Sequence, residues 1–550
     1  MAGWLHGTHA LLLAYSAVQA PMFVAMARAR AKVQQYFASP LVAAPLMLVS
    51  ALGSAASNAL IPHSGLVIGM GLSVALGYAG GRSIARGADD TEATHRRGSM
   101  VADSRRRGGS RSKSFDLGPD ITLAGLAVPA VDETKHFKLI GTTGTGKSTA
   151  IREMLHQALA RGDRAVIADP DGGYLKSFYN QDRGDVVLNP FDSRSVKWDL
   201  FAEIRNDYDV EQLARSLIPD RDGQDRSWRA YARTFFTAVT RQAREAQISD
   251  VGELYRLLVV ADSSELRTLV HGTPAQPFLD EHNSRMFDSI RSVTSSAVGA
   301  LEHVSRQTSR NFSVRDWVDK DSPGVLFMPY KAGQIAALHS TISAWMRLAI
   351  FETMDREAEP TDGGEAKRLW FVVDELDALG QIDGLKDALA RLRKFGGRCV
   401  LGFQSISQVS STYGHGEAHT IVENCGNTLI FRCSASEGGG TARFASQLIG
   451  EREVLRTSVS KSSRATDIWS SVTHSQQFAV ESAVLASQIE QLPDLAGYLK
   501  FASDPTWLSV RLEARKAWEQ HRSNPGADLD VRTGSRAAHE PSGATLDDRP

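Results

Sequence analysis

The sequence is poor in cysteine. Only Cys399, Cys425 and Cys433 occur among its 550 residues. So small and odd a number excludes a fold held together by disulfide bonds, as in small secreted proteins. Cys399 and Cys433 lie in apolar, strand-like runs, which favours buried thiols in a reducing compartment.

The chain also has no excess of charge of either sign. It carries 62 Lys and Arg against 63 Asp and Glu, a net charge of −1. This balance excludes a simple basic coat for nucleic acid, although not a local basic surface. Hydrophobic residues make up 42% and the mean hydropathy is −0.22, which is typical of a globular protein and not of a transporter with many membrane spans. The length predicts about three to four domains.

Long uncharged runs are found near the start of the chain, where they predict membrane helices. Residues 4–27 form a run of 24 without formal charge. A helix of that length spans about 36 Å, enough for a hydrocarbon core of about 30 Å. Residues 40–81 form a second run, divided by turn signals at Pro62 and His63. Residues 1–81 are therefore predicted to be a membrane anchor with three spans, with two spans as the alternative.

Basic residues follow both uncharged runs, and they predict the orientation of the anchor. Three lie at positions 28–32 and nine over residues 82–113. The positive-inside rule places both flanks in the cytosol, with the N-terminus outside and residues 82–550 inside. Residues 82–115 are rich in Arg, Gly and Ser and are predicted to be a basic flexible linker, and residues 523–550 a disordered tail.

A phosphate-binding motif follows this linker. Residues 141–149 match the pattern G-x4-G-K-[ST], whose glycines let backbone N–H groups turn towards phosphate oxygens. Lys147 is predicted to meet the phosphate charge, and the Ser148 hydroxyl to ligate Mg²⁺. A strand-like run at 137–140 precedes the motif and helical spacing follows it, so a helix dipole would point at the anion. The predicted nucleotide-binding residues are Gly141, Thr142, Thr143, Gly144, Thr145, Gly146, Lys147, Ser148 and Thr149.

Two further strand ends supply the groups that hydrolysis requires. The apolar run 369–373 ends in Asp374 and Glu375. Asp374 is predicted to hold the Mg²⁺ shell, and Glu375 to orient or polarise the attacking water. The run 398–403 ends in Gln404. A glutamine at that position can sense the γ-phosphate or position the water, while the alternative is a polar strand cap.

Another pair of carboxylates follows a third strand-like run. Asp169 and Asp171 come directly after residues 164–168. The carboxyl ends of parallel strands meet at the edge where α/β folds bind ligands. A direct role for these carboxylates in the nucleotide site is therefore open at this point.

The spacing of the motifs predicts an inserted domain. Lys147 and Asp374 are 227 residues apart, more than a compact phosphate-loop core needs. Residues 199–312 show helical periodicity with few strand-like runs. The sequence therefore predicts an α/β nucleotide-binding domain that holds an all-α insertion over residues 199–312.

A family resemblance rests on longer stretches than the phosphate loop. The sequence resembles the type IV secretion-system coupling proteins, the membrane ATPases of bacterial conjugation, over residues 135–515. The resemblance is carried by GTTGTGKS (141–148), FVVDELDALG (371–380), LARLRKFGGRCVLGFQSISQV (389–409), LIGEREV (448–454) and LPDLAGYLKFA (492–502).

This resemblance implies both a fold and a function. The fold would be a RecA-like P-loop ATPase domain over residues 116–198 and 313–522. Family members use ATP and Mg²⁺, assemble as homohexamers on the bacterial inner membrane, recruit a relaxase–DNA complex, and deliver single-stranded DNA to the secretion channel. The resemblance also implies that Arg393 reaches the nucleotide of a neighbouring subunit. From the residues alone, Arg393 would be a surface arginine on a helix.

Two other functions stay open at this stage. One is a double-stranded DNA translocase of the septal-pump type, although no DNA-reading domain is recognisable before the polar tail. The other is a receptor that binds protein substrates and uses ATP only as a switch. Glu375 and Gln404 favour hydrolysis over a passive switch.

Overall fold

The computed structural model describes residues 2–29, 31, 33–86, 94–104, 120–220, 225–356, 368–436, 439–462 and 471–513. The helices in these residues are α1 (Ala2–Arg28), α2 (Val33–Leu60), α3 (Gly65–Arg86), α4 (Ala130–Glu133), α5 (Lys147–Ala160), α6 (Gly173–Phe178), α7 (Asp207–Leu217), α8 (Arg226–Glu245), α9 (Val251–Tyr255), α10 (Ser263–Leu269), α11 (Ser284–Val298), α12 (Ala300–Ser305), α13 (Val314–Asp319), α14 (Ile335–Met354), α15 (Leu385–Leu392), α16 (Ile406–Tyr413), α17 (His415–Asn424), α18 (Gly440–Ile449) and α19 (Ala486–Glu490). A π-helical turn occupies Arg256–Val260, and 3₁₀ turns occupy Phe201–Glu203, Gln276–Leu279, Glu281–Asn283 and Arg393–Phe395.

The strands in the same residues are β1 (Thr94–Gly98), β2 (Val101–Asp103), β3 (Thr122–Leu123), β4 (Leu126–Ala127), β5 (Phe137–Ile140), β6 (Arg164–Pro170), β7 (Val186–Val187), β8 (Lys197–Trp198), β9 (Asn311–Phe312), β10 (Val325–Tyr330), β11 (Leu369–Val373), β12 (Gly397–Phe403), β13 (Asn427–Ile430), β14 (Glu451–Ser462), β15 (Ser471–Ser482), β16 (Ala496–Lys500) and β17 (Trp507–Arg511). These elements fall into two compact units. One comprises residues 1–98 and 451–481, and the other comprises residues 99–450 and 482–550.

The first unit contains the membrane anchor and a three-stranded sheet of order β1-β14-β15. Helix α1 over Leu11–Arg28 and helix α2 over Gln35–Leu60 are long and apolar enough to cross a membrane. Helix α3 packs against α1 through small residues, because a Cβ atom on Gly77 would lie only 2.2 Å from the Val18 carbonyl oxygen. The membrane helices predicted from the sequence are confirmed, whereas the number of spans stays a prediction.

The linker predicted over 82–115 is corrected in two places. Helix α3 continues to Arg86, and the chain then forms strands β1 and β2. These strands pair with β14 and β17, which lie some 350 and 400 residues further along the chain. Composition could not indicate such distant pairing, because arginine and glycine dominate this part of the sequence. The tail predicted over 523–550 lies outside the described residues.

The second unit is built on a ten-stranded sheet of order β2-β17-β16-β13-β5-β12-β11-β6-β10-β7. The strands from β13 to β7 run parallel, and β16 is antiparallel to both of its neighbours. Alternate residues of β6 enter different cores, with Val166 in one hydrophobic cluster and Ile167 in another. The sheet is therefore covered on both faces, which explains why its strands are apolar without interruption.

The predicted all-α insertion is confirmed in the described residues. Short strands β8 and β9 pair in parallel at its base, and helices α7 to α12 lie between them in sequence. Phe235 of α8 and Phe287 of α11 pack edge to face with ring centroids 5.2 Å apart. These helices share one hydrophobic cluster with strand residues such as Val166, so they pack continuously with the sheet.

Candidate active site

The phosphate loop lies between β5 and α5, as its sequence predicts. Gly144 has φ 77° and Gly146 has φ 126°, backbone conformations that side chains with a Cβ atom rarely adopt. The backbone N–H groups of residues 143–148 donate to no acceptor in the described part of the chain. These groups and the N-terminus of α5 therefore form an anion cradle.

The loop is held by two neighbouring segments, at Arg432 and Leu495, to which the sequence assigned no role at this site. The carbonyl oxygen of Arg432 accepts a hydrogen bond from the Thr142 N–H at 2.9 Å, and the Leu495 N–H donates to the Thr145 carbonyl oxygen at 2.9 Å. A Cβ atom on Gly141 would lie 2.7 Å from the Phe431 side chain. The strand order brings these residues together, because β13 lies beside β5.

Lys147 lies folded over the loop. It is 6% exposed, and its ammonium donates to the Gly141 carbonyl oxygen at 2.6 Å and to that of Thr142 at 3.3 Å. Burial lowers the pKa of Lys147, while the negative charges of Asp374 and Glu375 act in the opposite direction. The Lys147 side chain is thus held at the floor of the cradle by two backbone carbonyl oxygens.

Asp374 lies at the end of β11 and faces the phosphate-loop helix. Its Oδ2 atom accepts hydrogen bonds from the Ser148 hydroxyl at 2.5 Å and from the Tyr174 hydroxyl at 2.8 Å. Its Oδ1 atom is buried and has no hydrogen-bond partner among the described residues. A buried carboxylate oxygen without a donor is costly unless a cation or its water occupies the site.

Glu375 and Gln404 form a second cluster that reaches back to the loop. The Gln404 amide donates to Glu375 Oε1 at 3.1 Å, and the Thr143 hydroxyl donates to Gln404 Oε1 at 2.9 Å. Burial and the charge of Asp374 raise the pKa of Glu375, and the Gln404 hydrogen bond opposes this. Since β12 lies between β5 and β11, Gln404 bridges the loop and the carboxylate.

The geometry does not place Asp169 at the phosphate site. Its carboxylate is fully buried and accepts hydrogen bonds from the backbone N–H groups of Tyr174 and Leu175 at 3.0 and 2.6 Å. Burial raises the pKa of Asp169 to about 6. Asp169 therefore fixes the start of α6, and the residue that reaches the site from this segment is Tyr174, which no sequence motif marks.

Arg393 lies at the opposite edge of the sheet from the phosphate loop. It precedes β12, whereas Gln404 follows it, and a seven-residue strand is about 20 Å long. Arg393 is exposed and makes no ion pair with any described residue. It is therefore remote from the nucleotide site of its own chain.

The residues fit a magnesium–nucleotide group. The cradle offers unpaired N–H donors and a lysine, and the orphaned Oδ1 of Asp374 lies on a carboxylate that the Ser148 hydroxyl also contacts. Hydroxyl and carboxylate oxygens are the ligands that Mg²⁺ prefers when phosphates complete its shell. Fold and site together define a RecA-like P-loop nucleotide-binding protein with an inserted helical domain and a membrane anchor.

Comparison with known proteins identifies the family. The sequence model of the family described as type IV secretion-system coupling protein DNA-binding domain matches residues 120–513. The coupling protein TraD of Escherichia coli strain K12 is 31% identical over 386 residues, which are 69% of this chain and 53% of TraD. The chain belongs to the family of type IV secretion-system coupling proteins.

Solved structures of one relative cover about three quarters of the chain. The bacterial conjugative coupling protein TrwBdeltaN70 in its unbound form is 30% identical, with a TM-score of 0.67 over 77% of this chain and 94% of that one. The plasmid coupling protein TrwB in complex with ADP and Mg²⁺ is 31% identical, with a TM-score of 0.66 over 77% of this chain and 95% of that one. Against the curated relatives, by contrast, the chain spans about half their length.

Proposed function

We propose that this protein is an ATPase of a conjugative or related type IV secretion system. The observation that carries the proposal is the hydrogen-bonded set around the phosphate loop, in which Ser148 contacts Asp374 and Gln404 contacts both Thr143 and Glu375. Solved complexes of the relative TrwB contain the ATP analogue ADPNP, or ADP with Mg²⁺. ATP and Mg²⁺ are accordingly the proposed cofactors.

Each residue has a separate role in the proposed reaction. The N–H groups of residues 143–148 bind the phosphates, because those of Gly141 and Thr142 already donate to carbonyl oxygens, and Lys147 neutralises the charge of the transferred group. Ser148 and Asp374 hold Mg²⁺, which supplies electrostatic stabilisation of the phosphate oxygens. Glu375 orients the attacking water, since its half-buried carboxylate is fixed by the Gln404 amide. Gln404 also contacts the loop through Thr143, so a change at the phosphate site can be transmitted through Gln404 to β12.

Hydrolysis in this proposal requires a neighbouring subunit. Arg393 is exposed and lies about one strand length, roughly 20 Å, from the phosphate loop of its own chain. A guanidinium stabilises the charge of phosphoryl transfer only when it contacts the phosphates. We therefore place Arg393 at the nucleotide of the next protomer in a homohexameric ring.

The cellular role extends this reaction to transport. The membrane helices hold the protein at the bacterial inner membrane with the ATPase domain in the cytosol. There it recruits a relaxase–DNA complex and moves single-stranded DNA, with attached protein, towards components of the type IV secretion channel. The family description as a DNA-binding domain supports DNA as the partner.

The test is ATP hydrolysis by the full chain in lipid nanodiscs, with single-stranded DNA, double-stranded DNA or no DNA. We expect Mg²⁺-dependent hydrolysis that single-stranded DNA stimulates more than duplex of the same length. Glu375→Gln is the matched control, because it changes one atom of the proposed water-orienting group. Stronger stimulation by duplex would favour the double-stranded translocase, and absence of turnover despite ATP binding would favour the ATP-switched receptor.

A further inference from the structure

We propose that Tyr174 is a positioning residue for the Mg²⁺ site, acting through the carboxylate of Asp374. This inference rests on the proposed ATPase function and deepens it. Tyr174 would not touch the nucleotide. Instead, its hydroxyl would fix the rotation of the Asp374 carboxylate, so that Oδ2 stays beside the Ser148 hydroxyl, where the metal shell is expected.

The two oxygens of Asp374 have different surroundings. Oδ2 receives the Ser148 hydroxyl at 2.5 Å and the Tyr174 hydroxyl at 2.8 Å, whereas Oδ1 is buried with no donor in the described part of the chain. Two converging donors oppose rotation of the carboxylate. Oδ2 is therefore held beside the Ser148 hydroxyl, where Mg²⁺ or its water is expected.

The environment of Tyr174 keeps its hydroxyl a donor. The side chain is 1% exposed, and burial together with the charge of Asp374 raises its pKa well above the usual range. The hydroxyl therefore donates this hydrogen bond and the Asp374 carboxylate accepts it. A hydrogen bond from a buried neutral donor to a carboxylate is stronger than the same hydrogen bond in water, because the local dielectric is low.

Tyr174 is itself held in place from two directions. The Asp169 carboxylate accepts a hydrogen bond from the Tyr174 backbone N–H at 3.0 Å, which anchors the start of α6. The guanidinium of Arg152, one turn beyond Ser148 on α5, lies 5.3 Å from the centre of the Tyr174 ring. The phenol is therefore fixed relative to both the strand end of β6 and the phosphate-loop helix.

The test separates metal affinity from nucleotide affinity in Tyr174→Phe. Mn²⁺ serves as the probe, and its binding to the full-length protein with ADP is titrated by electron paramagnetic resonance. We expect Mn²⁺ to bind about tenfold or more weakly in the variant, as is usual when a residue supporting a metal ligand is removed. Affinity for a fluorescent ATP analogue measured in EDTA should stay within about twofold of the wild type, because the phosphate cradle is unchanged.

The control is Tyr179→Phe, which removes a hydroxyl just after the same helix, from a ring that lies 5.6 Å below Arg194. It should leave Mn²⁺ binding unchanged. Tyr174→Met provides a second variant without the hydroxyl, because methionine adapts to the space of a ring, and it should show the same loss. Wild-type Mn²⁺ affinity in a folded variant of either kind would overturn the inference.

The same experiment distinguishes the inference from the function on which it rests. If the wild-type protein binds Mn²⁺ with ADP but does not hydrolyse ATP, the ATPase proposal fails while the role of Tyr174 is still measured. If the wild type hydrolyses ATP and Tyr174→Phe needs no more Mg²⁺ for half-maximal turnover, only the positioning role is contradicted.

Discussion

Lys147 and Glu375 act on different partners within the same site, so their variants should fail in different ways. We expect Lys147→Ala to lose nucleotide affinity, because the phosphate charge is no longer met. Glu375→Gln should bind ATP normally but hydrolyse it about a hundredfold more slowly, because only activation of the water is weakened. Binding of a fluorescent nucleotide and steady-state turnover, measured separately, check both. Normal turnover in Glu375→Gln would show that another group orients the water.

Arg393 is the residue whose proposed role depends on a neighbouring subunit. Arg393→Ala should retain nucleotide binding but lose turnover by about a thousandfold, which is typical of an arginine that acts in trans. Lys394→Ala is the matched control, because Lys394 is the next residue and equally exposed. Mixing Arg393→Ala with excess Lys147→Ala protomers should restore some activity, since some junctions then join an intact loop to an intact arginine. Wild-type turnover in Arg393→Ala would make this arginine an ordinary surface residue.

The site residues that belong to a local motif could be predicted from the sequence, whereas those brought to the site by the strand order could not. The phosphate loop and the Asp374–Glu375 pair stand out because spacing and flanking elements identify them. Tyr174 and Arg432 do not stand out, because they reach the site only once β6, β11 and β13 take their places in the sheet. The roles of the predicted site residues stay predictions.

Among the secondary-structure elements, β5 is linked through His136 to α15, the helix that precedes Arg393. Its Nδ1 accepts a hydrogen bond from the Cys399 N–H at 3.0 Å, which assigns its Nε2–H as the donor to the Leu389 carbonyl oxygen at 2.9 Å. Burial is the main factor that lowers the pKa of His136 from 6.5 to about 4. The neutral imidazole therefore holds α15 against the amino edge of the sheet.

This buried histidine predicts a dependence of stability on pH. The unfolded chain binds a proton below about pH 6.5 and the folded chain only below about pH 4, so His136 loses its contribution as the pH falls through this window. We compare wild type with His136→Asn, because asparagine tolerates the φ of 56° at this position. Between pH 7.5 and pH 5, the difference in their free energy of unfolding should shrink by about 2 kcal/mol.

The wild type must be compared with His136→Asn because other buried groups titrate in the same pH range. The pKa of Asp169 is raised by burial to about 6, so its effect on stability has the opposite sign and is shared by both proteins. Urea unfolding at a series of pH values gives the difference. A difference that does not change with pH would mean that folding leaves the pKa of His136 at its usual value.

Some of the strands could be predicted from sequence patterns, and others could not. Strands β5, β6, β11 and β12 were predicted within one or two residues, because strands buried on both faces are apolar throughout. Strand β1 was not, because it consists of Thr94, His95, Arg96, Arg97 and Gly98. Its pairing with β14 depends on backbone hydrogen bonds and on contacts such as Arg97 with Glu453 at 2.6 Å, which no local pattern encodes.

At the scale of the whole molecule, the anchor should concentrate protomers in one plane. Removing residues 1–86 takes away α1 to α3 and leaves β1, which begins at Thr94. We expect a soluble protein whose specific ATPase activity rises with protein concentration, because ring assembly is no longer favoured by the shared membrane. Turnover per protomer across a wide dilution range checks this. A monomer that is fully active at nanomolar concentration would contradict the trans-acting arginine.

The proposed transport is movement along single-stranded DNA, and displacement of a bound obstacle detects that movement. The full chain in nanodiscs is mixed with single-stranded DNA that carries biotin–streptavidin at one end or the other. We predict ATP-dependent loss of streptavidin from one end only, absent in Glu375→Gln and absent on duplex of the same length. Hydrolysis that single-stranded DNA stimulates, without displacement from either end, would show that the protein does not move along the strand.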